Sequence, residues 1–229
     1  MRIIFVRHGE PDYDRDCLTE TGKVQAGLVA QRLRGEGIEE IWSSPLGRAY
    51  ETATAASGVL GLPIKILDCL REVDWGSGNG EPIFADGHPW DIVDEMARLG
   101  MNLNRTDWRE TPFFRNNRVL DCIDCVERGI DSWLSDMGYV RDGFYYRHTA
   151  DEDRHRTVAL FGSGGSSVAA IGHILNLPFP FMCGALHMDF TGITTIRMDR
   201  RSGVRSLPCL EVANDSRHIH PDGLDGVFD

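Results

Sequence analysis

The residues with most chemistry to offer in this chain are Arg7, His8, Arg48, Glu72 and the run Gly162-Ser163-Gly164-Gly165. A guanidinium fork matches phosphate oxygens two at a time, so a pair of arginines suits a phosphoryl group. A glycine turn opening a helix adds backbone N–H donors at the positive end of the helix dipole. A neutral imidazole can attack phosphorus, and a carboxylic acid can protonate the departing alkoxide. Together these groups read as phosphoryl transfer through a phosphohistidine. Each also has an ordinary reading. A histidine after a strand is commonly a polar loop residue, Arg48 could lie on a solvated helix face, and Glu72 beside Arg71 and Asp74 could belong to a surface charge cluster.

For that chemistry to assemble, the fold must bring distant segments to one edge. In an α/β sheet that edge is the carboxyl end of the strands, where loops and helix N-termini converge. Residues 3–6 predict a short buried strand ending at Arg7-His8-Gly9-Glu10. Thr19 predicts the N-cap of a helix with Val24, Leu28 and Leu33 at helical spacing, ending near Gly35 or Gly37. Residues 38–42 predict a second strand. After it Ser43-Ser44-Pro45 opens a helix through Arg48 and Thr52, with Pro45 where a missing N–H does no harm. Residues 63–67 predict a third strand, and Glu72 follows it. This β-α-β-α-β order predicts a mainly parallel sheet covered on both faces.

The rhythm breaks between Gly76 and about His155, a stretch that holds Trp90, Trp108 and Trp133, one helix candidate at 120–137 and a hairpin candidate at 139–146 around Asp142-Gly143. It then resumes with a strand at 157–161, the glycine turn, a helix at 166–175 and late strands at 193–198 and 204–212. The expected architecture is a three-layer α/β/α single domain over residues 1–229. It carries an insertion after the third strand at about 76–155 and a loose polar tail at about 214–229.

Twenty-four basic against 35 acidic residues gives a net charge of −11, a poor footprint for nucleic acid or an anionic membrane surface. The N-terminal apolar run, Ile3 to Val6, is too short for a signal-peptide core, and no later stretch approaches the roughly 18 apolar residues of a membrane span. A cytoplasmic protein is therefore expected, and its six cysteines read as reduced thiols. Cys122-Ile-Asp-Cys125 has metal or redox spacing without a companion pair, and His218-Ile-His220 lacks further ligands, so no metal site is expected. His148, His155, His218 and His220 read as surface or tail residues, and Arg115 and Arg118 as a solvated face.

Four blocks in order resemble the histidine phosphatase superfamily, the group that includes cofactor-dependent phosphoglycerate mutases. They are Ile4-Phe5-Val6-Arg7-His8-Gly9-Glu10, Leu18-Thr19-Glu20-Thr21-Gly22, Ser43-Ser44-Pro45-Leu46-Gly47-Arg48-Ala49-Tyr50-Glu51-Thr52-Ala53, and Leu70-Arg71-Glu72 followed by Trp75-Gly76. They span about the first 80 residues. The resemblance implies the phosphoglycerate mutase-like fold, with His8 as the phosphorylated residue, Arg7 and Arg48 as phosphate clamps and Glu72 as the general acid that later activates water. It also implies that the insertion selects the substrate. Gly9, Glu10, Thr19, Ser163 and Gly164 complete the expected phosphate surroundings. One position departs: the family's second histidine precedes a glycine pair in a strand–turn–helix, and here Ser163 stands there. Serine donates one neutral hydrogen bond and carries no charge. His173 reads as a packing residue, and His187 is the nearest candidate to replace the missing ring.

These readings converge on a phosphomonoesterase for a small phosphorylated metabolite, without cofactor or metal, binding its substrate or inorganic phosphate. They are also compatible with a homodimer. A phosphoglycerate-type mutase is the alternative, disfavoured because residues 76–108 offer only Arg98 and Arg105 as basic groups. A phospho-ligand-binding member weakened by Ser163 is the other.

Overall fold

Ile3, Ile4, Phe5 and Val6 are completely buried in the computed structural model, which describes residues 1–149 and 156–220. A strand buried on both faces needs cover on both. Alternation sends Ile3 and Phe5 into one core and Ile4 and Val6 into another. This strand is β1 (Arg2–Arg7). A two-residue hairpin, β2 (Pro11–Asp12) and β3 (Cys17–Leu18), leads to helix α1 (Glu20–Arg32), followed by β4 (Glu40–Ser43), α2 (Gly47–Leu60) and β5 (Ile64–Ile66). Helices α3 (Pro89–Arg98) and α4 (Val119–Asp136) precede the hairpin β6 (Tyr139–Asp142) and β7 (Tyr145–His148). The chain returns through β8 (Thr157–Gly162), α5 (Gly164–Leu175), α6 (Phe179–Ala185), β9 (Ile193–Arg197), β10 (Arg205–Ser206) and β11 (Cys209–Asp215).

The main sheet has the order β11-β9-β1-β8-β4-β5. The neighbours β1, β8, β4 and β5 run parallel, and β9 is antiparallel to both β1 and β11. Helices α1 and α2 cover the Ile4/Val6 face, and α3 to α6 contribute to the core on the Ile3/Phe5 face. The expected three-layer α/β/α architecture with a mainly parallel sheet is what forms. The described part of the insertion, residues 76–149, is built into it. Ile92, Met96, Trp108, Ile123, Ile130 and Trp133 share one core with Ile3, Phe5 and the residues of α5.

Several expectations need correction. The buried stripe of α1 is Gly22, Ala26, Val29 and Ala30, not Val24 and Leu28, which are exposed. Small side chains let α1 lie close to the buried Ala49, Ala53 and Ala56 of α2, so close packing overrides the larger apolar residues. The second helix starts at Gly47, leaving Pro45 outside it. A second helix of the insertion, α3, was not anticipated. Its start is a Pro at N1 and its buried residues are Pro89, Ile92, Val93 and Met96. The last strand runs three residues past 212, and the tail is not loose where it begins. Asp215 and Ser216 are buried, and Asn214 and Ser216 both bond Asp189 Oδ2. Residues 221–229 and His155 lie outside the described residues. His148 and His218 are likewise not surface groups: His148 stacks on Tyr139, and His218 bonds Thr191 Oγ1 at 2.9 Å. Among the described residues no single helix is long and apolar enough to cross a membrane.

Candidate active site

β1, β8 and β4 end side by side, with Arg7 opposite Gly162 and Ser43 opposite Phe161. His8 N donates to Gly162 O at 2.9 Å, so His8 and Ser163 leave the sheet together, and α2 delivers Arg48 to the same edge. The His8 ring is fully buried. Its Nδ1 lies 2.8 Å from Gly9 O, and a carbonyl can only accept, so the proton is on Nδ1. Nε2 therefore keeps its lone pair, which accepts from Arg48 Nε at 3.2 Å. Burial above all, with the positive charges of Arg7 and Arg48, pushes the His8 pKa down to about 3 against the opposing pull of the Gly9 bond. The ring is neutral, and its lone pair is at Nε2, held by Arg48.

Arg48 is fixed from two directions. Its Nη1 pairs with Asp16 Oδ1 at 2.6 Å, while Asp16 Oδ2 accepts from Gly47 N at 2.7 Å. Partial burial opposes ionisation of Asp16, but the Gly47 amide and Arg48 outweigh it and hold the carboxyl below its usual range. Arg7 Nη1 donates to Met188 O at 2.5 Å, and the guanidinium lies 4.3 Å above the Phe190 ring. Its Nε is buried without a partner.

Ser163 is the N-cap of α5 and completely buried, yet its hydroxyl caps nothing and has no partner. An N-cap serine ordinarily accepts from the second or third helical N–H. Two orphaned buried groups, Arg7 Nε and Ser163 Oγ, thus flank the first turn of a twelve-residue helix. An anion there would satisfy both and meet the helix dipole. Glu72 lies at the same turn, where its Oε1 accepts from Gly165 N and Val73 N, both at 3.0 Å. Burial nonetheless raises its pKa above the ordinary carboxyl value, against those amides and the two arginines. Only glycine permits this approach, since a Cβ at Gly165 would lie 2.7 Å from Glu72 Oε1.

Arg7, Glu72, Gly164 and Gly165 line a cavity of about 300 Å³. His8 and Arg48 are not on its lining, and His8 lies beside Phe190 with ring centroids 6.0 Å apart. Three of the expected phosphate contacts are occupied elsewhere. Gly9 N donates to Thr52 Oγ1, Thr19 Oγ1 caps α1 and donates to Glu10 Oε1 at 2.7 Å, and Glu10 N donates to Gln25. These residues brace the loop after β1 and do not face the cavity. His187 lines the cavity, but its side chain is 74% exposed and pairs with Asp189 at 3.1 Å. His173 bonds Asp131 at 2.9 Å in a network with Arg141 and Tyr146, and so is a hydrogen-bond partner as well as a packing residue. Asp16 and Phe190 were not anticipated. Asp16 carried the one readable signal, an acid just before the Leu18-Thr19 block; Phe190 carried none. Among the described residues no group of three or more His, Cys, Asp or Glu is placed to hold a metal ion.

The chain has relatives among known proteins. A protein of Hydrogenobacter thermophilus named "Putative phosphoserine phosphatase 2" is 25% identical over 207 residues, 86% of this chain and 90% of its own length. In fold, the chain resembles mycobacterial glucosyl-3-phosphoglycerate phosphatase in complex with inorganic phosphate, with TM-score 0.63 and 24% identity, covering 95% of this chain and 98% of that one. It also resembles an Entamoeba histolytica phosphoserine phosphatase variant bound to phosphoserine, with TM-score 0.59, 23% identity and the same coverage of 95% and 98%. Residues 3–127 match the model of the histidine phosphatase superfamily, branch 1, and the chain belongs to that superfamily.

Proposed function

We propose that this protein is a phosphomonoesterase that hydrolyses a small phosphorylated metabolite through a phosphohistidine on His8. The observation that carries this reading is the Nδ1–H to Gly9 O bond, which leaves a neutral ring with its lone pair at Nε2. The phosphoryl group binds at the first turn of α5, held by Arg7, Arg48, the Gly164 amide and the Ser163 hydroxyl. On binding, Arg48 redirects its Nε–H hydrogen bond from His8 Nε2 to a phosphoryl oxygen, which frees the lone pair. Nε2 then attacks phosphorus as the P–O ester bond breaks, and the proton on Glu72 goes to the departing alkoxide. In the second half, ionised Glu72 takes a proton from water. The water oxygen displaces Nε2 from phosphorus and releases inorganic phosphate. The raised pKa of Glu72 suits an acid in the first half and a base in the second.

Ser163 weakens the site compared with a histidine there, because a neutral hydroxyl replaces a charged donor at a developing anion. Such a donor is typically worth about 10²–10³ in rate. Turnover is therefore slow while phosphate still binds through the arginines. Phosphate-labelled substrate should leave an acid-labile, base-stable label on the wild type and none on His8→Ala. Retained phosphate binding with no label and no turnover would favour a binding protein instead.

A further inference from the structure

The cavity over Glu72 has a wall of one chemical kind. Trp75, His88 and Trp90 form a continuous aromatic surface, with Trp75 and His88 edge to face at 5.0 Å between centroids and His88 and Trp90 tilted at 5.6 Å. Tyr13, Val168, Leu186, Met188 and His187 continue the lining. Trp90 reaches the reacting end directly, because a Cβ on Gly165 would lie 3.4 Å from its ring and 2.7 Å from Glu72 Oε1. The group that takes a proton from Glu72 therefore departs against indole. Arg7 is the one arginine or lysine among the lining residues, and it is committed to the phosphoryl group. Of the two histidines on the lining, His88 Nδ1 lies 3.0 Å from Asp91 Oδ2 without a hydrogen bond between them, and His187 Nε2 lies 3.1 Å from Asp189 Oδ1. A carboxylate on the alcohol would meet no lysine and no arginine besides Arg7, and each lining histidine already has a carboxylate beside it.

We infer that the alcohol carried by the substrate bears a flat, uncharged aromatic or heteroaromatic ring that stacks on Trp90 and Trp75, and not a carboxylate. About 300 Å³ is the small end of ligand cavities, which limits the ring to a mono- or bicyclic system. The inference rests on the phosphatase reading for its reaction but not for its recognition surface.

Esters with similar primary alkyl leaving groups test it without bias from leaving-group reactivity. The full-length protein is assayed with 2-naphthylmethyl phosphate, ethyl phosphate and O-phosphoserine. The naphthylmethyl ester should have a kcat/KM at least about tenfold above each of the others, through KM. Trp90→Leu and Trp75→Leu should each reduce that preference over ethyl phosphate by about fivefold or more. Phosphoserine turned over as well as or better than the naphthylmethyl ester would overturn the inference and leave the phosphatase reading standing. If no ester is hydrolysed, the phosphatase reading fails, and the wall is tested by equilibrium binding alone. 2-Naphthylmethylphosphonate should then bind at least about tenfold tighter than ethylphosphonate, and equal affinities would overturn the inference.

Discussion

Ser163 and His8 show how single residues set the character of this site. A buried hydroxyl without a partner costs stability until a ligand meets it, by about 1–3 kcal/mol. Ser163→Ala should therefore leave the melting temperature of the free protein unchanged or slightly raised while weakening inorganic phosphate binding several-fold by calorimetry. Weaker folding with unaltered phosphate affinity would show that the hydroxyl serves the fold. Ser163→His restores a cationic donor, and the account expects a rate gain of about tenfold or more on a simple phosphomonoester, below the 10²–10³ such a donor can supply. The pH dependence follows from two opposite shifts. His8 titrates near pH 3 in the native state and near 6.5 when unfolded. Between those values the unfolded chain binds a proton the native state does not, so stability falls as pH drops from about 6.5 toward 3 and is indifferent to His8 above that window. His218, lowered mainly by burial to about 4, acts in the same direction. His8→Gln should flatten part of the acid denaturation curve; unchanged acid sensitivity would place the His8 pKa near its ordinary value. Glu72, shifted upward by burial, must be protonated to act first, so kcat/KM falls on the alkaline side as it ionises. Glu72→Gln should lose that limb together with about 10²–10⁴ in rate on alkyl esters. An alkaline limb that persists in Glu72→Gln would assign it to another group.

At the scale of elements, the site is the meeting of three strand ends with the first turn of α5, and most of that was legible. The buried apolar runs of β1 and β8 read directly as strands, Thr19 caps α1 as its type and position indicated, and the β-α-β order placed Arg7, His8, Arg48 and Glu72 at one edge. Helix α3 was not legible because the turns before it, at Phe84 to Gly87, include left-handed backbone at Ala85 and Asp86 that no local rule predicts for those residues. The packing of small residues between α1 and α2 was hidden for a different reason. Alanine and glycine give a weak periodic signal, while the exposed Val24 and Leu28 give a strong one. The contacts of α5 with the loop after β5 yield a further prediction. Gly165→Ala would drive a methyl into Val73 and Glu72, so it should cost about 1–3 kcal/mol in chemical denaturation and depress kcat more than phosphate binding. A fully stable, fully active variant would mean that α5 and Glu72 are farther apart than the structure has them.

Across the whole molecule, an acidic chain brings Arg7, Arg48 and the first turn of α5 to one sheet edge, where on the proposed reading arginines, amides and a helix dipole meet a phosphate charge. On that account activity should survive chelator treatment within about twofold, and a large loss restored by magnesium or zinc would contradict it. On the proposed reading, the residues that would choose the substrate, Trp75, His88 and Trp90 among them, lie in and just before the insertion, which no short motif describes. The aromatic wall of Trp75, His88 and Trp90 was therefore invisible until the chain was folded. Everything proposed for the reaction depends on two successive displacements at phosphorus, the first by His8 Nε2 and the second by water. The most direct test is the stereochemical course of hydrolysis of a phosphomonoester made chiral at phosphorus with oxygen isotopes and sulfur. Two in-line displacements predict overall retention of configuration, whereas inversion would mean direct attack by water and no phosphohistidine.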